Sequence, residues 1–335
     1  MGRTRTKKAQ RALKSTVVST TPTVVPQPAI ESLVEKTQIL LAQCNYELAH
    51  KFIKRILERD STHVEGREML GLVELENGNI EAAKAVFVTL IPPSLTAPTP
   101  PSASAYLYLA QLTDDDPNKA LELYRNALNL MSSQLKGKAP ASQEPKSSEM
   151  EEQTRKTAVR TVIAMVEIWM SDLCFEPQAE TECESLLKLA FELDPENPEA
   201  LVSLASVRIS QQRPEEAKDL VQRSWTVWKD LESDGAALPP ISSRLSLTRL
   251  MLELSMYTQA LAILHGVLAS DEQEVEAWYL QGWCFFLIGD ALKEGQSIED
   301  AGELTWQDMK RDARIALEKC KEVSGNLEVG SSYGI

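Results

Sequence analysis

The chain is predicted to be all-α, a solenoid of about seven degenerate helix pairs, on three observations. First, a small residue is repeatedly followed four positions later by a bulky apolar one and seven positions later by another apolar or small one. Ala49, Ile53 and Ile56 form one such set, and Ala83, Phe87 and Leu90 repeat it 34 residues on; Cys183, Leu187 and Ala190 are followed at the same offset by Ala217, Val221 and Ser224. Second, an aspartate stands eleven residues beyond three of the leading small positions, at Asp60, Asp194 and Asp271. Third, only 6% of the residues are aromatic, 14 are glycine, and no alternating Val/Ile run that would make a strand is present.

Taken in order, the first pair ends on the Ala49 set and Asp60. The second joins Leu70-Gly71 to the Ala83 set, after which PPSLTAPTPPSAS at 92–104 lengthens the connection. Ala120, Tyr124 and Ala127 mark the third, followed by GKAPASQEPKSSE at 137–149, read as a polar loop. The fourth ends in AFELDPENPEAL at 190–201: a helix stops at Asp194-Pro195, and Pro198-Glu199 supplies a proline and an acid suited to a new first turn. Leu204-Ala205 and the Ala217 set make the fifth, and Ala260, Leu264 and Val267 mark the sixth. The seventh joins Trp278 and Gly282 to Ala313, Leu317 and Cys320, split by GDALKEGQSIEDAGELT at 289–305, read as a loop with one short helix. In each first helix a small residue (Gly71, Ala205, Gly282) lets its partner approach closely. The solenoid is expected over 30–323, with a basic tail and Ser/Thr/Pro-rich linker at 1–29 and a flexible tail at 324–335.

This pattern resembles the tetratricopeptide repeat, whose W-x2-L-G-x2-Y, A-x3-F and P positions are matched by Leu70, Gly71, Ala83 and Phe87 and by Leu201, Leu204, Ala205 and Ala217. Lys36, Gln281 and Ser224 depart from it, weakening single repeats but not the period. Stacked repeats bury their apolar faces on their neighbours, so 335 residues are expected to form one elongated unit.

No enzyme is expected. The three histidines (His50, His63, His265) are unpaired at ligand spacing, and no G-x4-G-K-[ST], G-x-G-x2-G or G-x-S-x-G occurs. Neither metal nor cofactor is expected. The five cysteines (Cys44, Cys174, Cys183, Cys284, Cys320) form no C-x2-C and are read as reduced core residues. No apolar run approaches the ~18 residues that span a bilayer, and no hydrophobic signal segment opens the chain, so a place in the cytoplasm and nucleus, away from membranes, is expected.

The opening MGRTRTKKAQRALK carries Arg3, Arg5, Lys7, Lys8, Arg11 and Lys14 without an acid, a spacing that suits a nuclear-import signal. Setting these six aside takes the net charge from −14 to −20 on the remainder. An acidic body argues against direct binding of nucleic acid and for a basic partner.

In tetratricopeptide arrays the first helix of each pair lines the concave surface. Glu65, Glu68, Leu72, Leu75 and Glu76 are placed there from the second pair, and Glu31, Asp114, Asp115, Asp172, Glu176, Glu199 and Glu253 from others, with Arg249 the main opposing charge. A groove so lined suits Lys/Arg-rich extended segments and not the acidic tails of heat-shock chaperones, which need Lys, Arg and Asn. Tyr279, Trp283 and Phe286 form a second apolar stripe on the last first-helix, either an anchor for an apolar part of the partner or a surface covered by the 289–305 insertion; Trp278, Gly282 and Phe285 form the stripe packed inside the repeat.

In layout and texture the chain also resembles the fungal dedicated assembly chaperones of the fourth large-subunit ribosomal protein, through its basic opening, ILERDSTHVEGREMLGLVELENGN at 56–79 and YLQGWCFFLIGDALKEG at 279–295. The resemblance implies capture of a newly made basic ribosomal protein, shielding of its extended internal loop, and escort to nuclear pre-ribosomes, with import machinery engaged through the cargo or the tail. The alternative is a repeat scaffold inside a multisubunit complex.

Overall fold

The computed structural model describes residues 28–136, 145–231, 238–296 and 305–332. Among them, fourteen helices pair consecutively: α1 (Ile30–Ala42) with α2 (Tyr46–Arg59), α3 (Val64–Glu76) with α4 (Ile80–Val88), α5 (Ala103–Gln111) with α6 (Pro117–Lys136), and α7 (Pro145–Met170) with α8 (Ala179–Leu193). The series continues with α9 (Pro198–Ser210) and α10 (Pro214–Thr226), α11 (Ile241–Glu253) and α12 (Tyr257–Ser270), and α13 (Val275–Lys293) and α14 (Trp306–Ser332). This is the tetratricopeptide-type array the period predicts.

The repeating sets lie on the second helix of each pair, where they pack against the first, except that Leu90 falls in the turn just past the end of α4. All three members are buried in each of the first six pairs, with Ser224 standing in for an apolar residue. That serine, in place of the usual alanine, donates its hydroxyl to the Pro198 carbonyl at 3.0 Å, so the buried oxygen is satisfied. In the seventh pair Ala313 is buried, whereas Leu317 keeps an exposed flank. The close approaches are real: a Cβ on Gly71 would stand 2.5 Å from the Phe87 ring, and one on Gly282 would stand 2.7 Å from Leu317.

Two kinds of corner alternate. Between pairs, Asp60, Asp194 and Asp271 leave the helix in an extended conformation (φ −139°, −149° and −146°), and the next helix is capped by His63, Asn197 or Glu274 accepting a backbone N–H at 3.0–3.2 Å. AFELDPENPEAL is such a corner: α8 stops at Leu193 and α9 starts at Pro198. Within pairs, Cys44, Gly78, Gln212, Ser255 and Gly295 take positive φ, and the N–H of the next residue reaches back to close the first helix, as in Asn45 to Leu40 at 2.9 Å and Met256 to Met251 at 2.7 Å. This is the Schellman ending, and at three of the five corners a residue other than glycine accepts the left-handed conformation.

The proline-rich insertion is ordered by Arg67, whose buried guanidinium donates to the carbonyls of Thr62 (3.1 Å), Thr89 (3.3 Å) and Thr96 (3.1 Å). The segment 137–149 is not wholly a loop, since α7 already begins at Pro145. In 289–305, Gly289 to Lys293 complete α13, and Thr305 opens α14 in a reciprocal cap with Asp308. Residues 297–304 lie outside the described residues, as do the basic residues Arg3 to Lys14. The α14 helix runs on to Ser332, beyond the solenoid limit expected at 323.

Two cysteine assignments change. Cys183 and Cys284 are buried as expected, but Cys44 and Cys174 are exposed, because each sits in a corner instead of on a packed helix face. Among the described residues no helix is long and apolar enough to cross a membrane.

Candidate functional site

The first helices line one side of the array: α1 meets α3, whose Glu68 binds Ser102 at the start of α5, and farther along α7 meets α9 while α9 and α13 both meet α11. Residues on this wall are those a stacked array presents to a partner.

On α3, Glu65, Glu68, Leu72 and Glu76 follow one another at helical spacing along one side. Neutral donors hold all three carboxylates: Gln38 of α1 donates to Glu65 at 2.6 Å, Ser102 donates to Glu68, and the Tyr46 hydroxyl donates to Glu76 at 3.0 Å. Burial pushes the Glu68 carboxyl above its ordinary range; the Ser102 bond partly offsets this and the Glu65 charge adds to it. Tyr108 of α5 is likewise raised, first by burial and then by the charges of Glu68 and Glu76. Glu68 also borders a hollow of about 870 Å³ walled by the proline-rich insertion and by α5, α6 and α7.

Five predicted acids are not on the wall. Asp114 and Asp115 lie in the corner between α5 and α6, Asp172 and Glu176 lie between α7 and α8, and Glu253 is the last residue of α11. The reason is geometric: each stands at or past the last turn of its helix, and the negative helix C-terminus gives an acid no support there. They mark an exposed edge of the array. Glu31 is exposed in the first turn of α1, where an N-terminal acid is favourable.

The middle of the wall contains a hollow of about 520 Å³ between α7, α9 and α11. Glu199, in the first turn of α9, enters it already engaged: the Arg160 guanidinium lies 3.3 Å from one of its carboxylate oxygens, and the Ser243 hydroxyl is 3.3 Å from the other. Arg249 opposes Glu276, its Nε 2.7 Å from the carboxylate, and Arg160, which the sequence reading did not name, is a second opposing charge, at Glu199. The sequence reading missed Glu167, on the same face of α7 seven residues after Arg160. The residue is exposed, yet partial desolvation of its carboxyl against the hollow raises it, and the Glu199 charge raises it further. A lone acid in the apolar run TVIAMVEIWM was the available signal.

At the far end, Tyr279, Trp283 and Phe286 are 51%, 43% and 50% exposed, and the Trp283 and Phe286 rings stack with centroids 5.3 Å apart. The inner stripe differs in part from expectation: Gly282 is buried, while Trp278 and Phe285 are only half-buried and Trp278 donates its indole N–H to the Glu272 carbonyl at 2.9 Å. Any cover from 297–304 lies outside the described residues.

No profile of a known protein family matches the chain. Individual relatives do. It is 32% identical over 235 residues to a probable assembly chaperone of Rpl4 from Schizosaccharomyces pombe, covering 70% of this chain and 67% of that one. A protein of the same description from Emericella nidulans is 27% identical over 325 residues, 93% of this chain and 80% of the relative. Among solved structures, an assembly chaperone of RpL4 (Acl4, residues 1–338) superimposes with a TM-score of 0.71 at 28% identity, over 80% of this chain and 99% of that one. Fold, layout and sequence agree, and the chain belongs to the fungal family of probable assembly chaperones of Rpl4, a family of chaperones and not of enzymes.

Proposed function

We propose that this chain captures newly made Rpl4 and holds a basic, extended segment of it along the wall of first helices, then accompanies it to ribosome assembly in the nucleus. The observation that carries the client is the kinship with proteins described as assembly chaperones of Rpl4. What supports the mode of binding is the α3 side: Glu65, Glu68 and Glu76 are held by neutral hydrogen-bond donors, so their orientation is fixed while their charge remains available to a cation. A ribosomal protein made ahead of its RNA exposes cationic segments suited to phosphate, and fixed carboxylates substitute for the missing phosphates.

Titration calorimetry of the purified chain with Rpl4 tests the reading. One-to-one binding that weakens with salt is expected, because exposed charges are screened over about 8 Å at physiological ionic strength. Changing Glu65, Glu68 and Glu76 together to Gln keeps the hydrogen-bonding shape and removes three charges; affinity should fall at least tenfold with the helical signal intact. A folded triple variant that binds Rpl4 normally removes the α3 wall from the interface, and no binding by the unaltered chain removes the client. Finding the chain instead as a stoichiometric subunit of a large complex would support the scaffold alternative.

A further inference from the structure

The hollow between α7, α9 and α11 is lined mainly by residues of those three helices, with Ser224 of α10, Trp228 and Pro239 beside them. Ile163, Met170, Val202 and Leu247 give it apolar walls, and Ser203 and Ser246 add hydroxyls. Among the described residues Glu199 has a cationic partner and Glu167 has none within ion-pair distance. The site therefore holds one carboxylate in excess, beside a second that repels it. Its volume of about 520 Å³ falls within the range of sites that enclose a ligand group, and exceeds what one ordered water needs.

We propose that this hollow receives a single arginine side chain from an extended basic segment, with Glu167 meeting the guanidinium, the apolar walls covering the aliphatic stem and the serine hydroxyls accepting the remaining N–H groups. The inference rests on the proposal that the wall binds a basic client, and specifies one contact within it. Arginine fits better than lysine for a geometric reason. Its planar fork offers five donors and needs acceptors on several sides, which a carboxylate with neighbouring hydroxyls provides, whereas an ammonium is a compact, strongly hydrated charge that gives up more on leaving water. Arg160 already shows that a guanidinium settles here, with Nε and Nη2 at 3.3 and 3.5 Å from the two oxygens of Glu199. The raised Glu167 carboxyl fits a site that is electrostatically unfinished until a cation enters.

The test uses the full chain with Rpl4 as the probe. Glu167→Gln removes the excess charge at nearly constant shape. Affinity for Rpl4 should fall about tenfold, while the melting temperature of the free chain stays level or rises, since a charge repelled by Glu199 has been removed. A residue with a merely structural role would move the other way, so a lowered melting temperature with unchanged affinity overturns the proposal. Arginines of Rpl4 are then changed to lysine one at a time and titrated against both chains. At least one should weaken binding to the unaltered chain and have little effect with Glu167→Gln; penalties equal in both backgrounds for every arginine exclude this receptor. If the unaltered chain does not bind Rpl4, the client reading itself fails, and that outcome is distinct from a bound client indifferent to Glu167.

Discussion

The approach of α3 to α4 gives a test in which one substitution changes sign with its background. A Cβ added at Gly71 would stand 2.5, 2.6 and 2.9 Å from three atoms of the Phe87 ring, whereas carbons at rest lie about 3.5–4.0 Å apart. The ring must therefore retreat by about 1 Å. It has little room to move: Phe87 is fully buried, and its ring stacks on Tyr108 with centroids 4.8 Å apart. Overpacking of this kind costs about 1–3 kcal/mol. Replacing a mid-helix glycine by alanine returns about 0.5–1 kcal/mol, so Gly71→Ala should destabilise by about 1–2 kcal/mol. Phe87→Ala alone should cost about 3–5 kcal/mol, but it clears the space, and Gly71→Ala on top of it should then stabilise by about 0.5–1 kcal/mol. The four proteins form a double-mutant cycle with a coupling of about 2 kcal/mol. Urea unfolding followed by circular dichroism measures it, with Phe87→Leu in reserve if the alanine variant does not fold. Equal destabilisation by Gly71→Ala in both backgrounds would refute the close approach as the reason for the glycine.

Trp283→Ala removes half of a stacked, exposed aromatic pair; the melting temperature should hold, as for surface substitutions within about ±0.5 kcal/mol, while Rpl4 affinity drops severalfold, and a lowered melting temperature with unchanged affinity retires the stripe as an anchor. Burial raises the folded-state Glu68 carboxyl above its ordinary 4.5, so the native state binds the proton more tightly than the unfolded chain; stability should fall as pH climbs from that value through the folded one and stay reduced above it, a step that Glu68→Gln flattens in a melting-temperature profile. Burial pushes the thiols of Cys183 and Cys284 up to about 11 and about 12, while Cys44 and Cys174 are exposed, so mass spectrometry after brief maleimide treatment at neutral pH should find the two corner cysteines labelled and the two buried ones intact.

The second helices were legible because their signal is steric. Ala49, Ile53 and Ile56 must all enter one packed interface, and every later pair must solve the same problem, so the sequence repeats the same internal spacing, 34 residues apart where no insertion intervenes. The corners at Asp60, Asp194 and Asp271 were legible for a related reason, since chain reversal between pairs recurs with one backbone geometry. The wall was only half legible. An acid such as Glu68, on a helix side, and one such as Asp172, just past a helix end, look alike in sequence, and only the position of the last helical turn separates them. Arg160 escaped notice because its partner Glu199 lies 39 positions away, on the next first-helix.

The kinds of partner given to the wall acids suggest how charge is distributed along it. Glu65, Glu68 and Glu76 take hydrogen bonds from an amide and two hydroxyls, groups that orient a carboxylate without cancelling it. Glu199 and Glu276 are bound by Arg160 and Arg249, which cancel most of their far field. Counting acids alone therefore overstates the negative potential toward α9 and α13 and understates its concentration on α3, with Glu167 the uncompensated carboxylate in between. A cationic segment approaching from a distance is drawn first to α3, because Coulomb attraction from unpaired charges outlasts that from paired ones. The central hollow adds less to that pull, since Glu167 is a single charge beside the Arg160–Glu199 pair, whose dipole falls off faster than a charge, and its contacts form only as the segment settles. Substitutions on α3 should accordingly act mainly on the association rate, and those at Glu167 mainly on the dissociation rate.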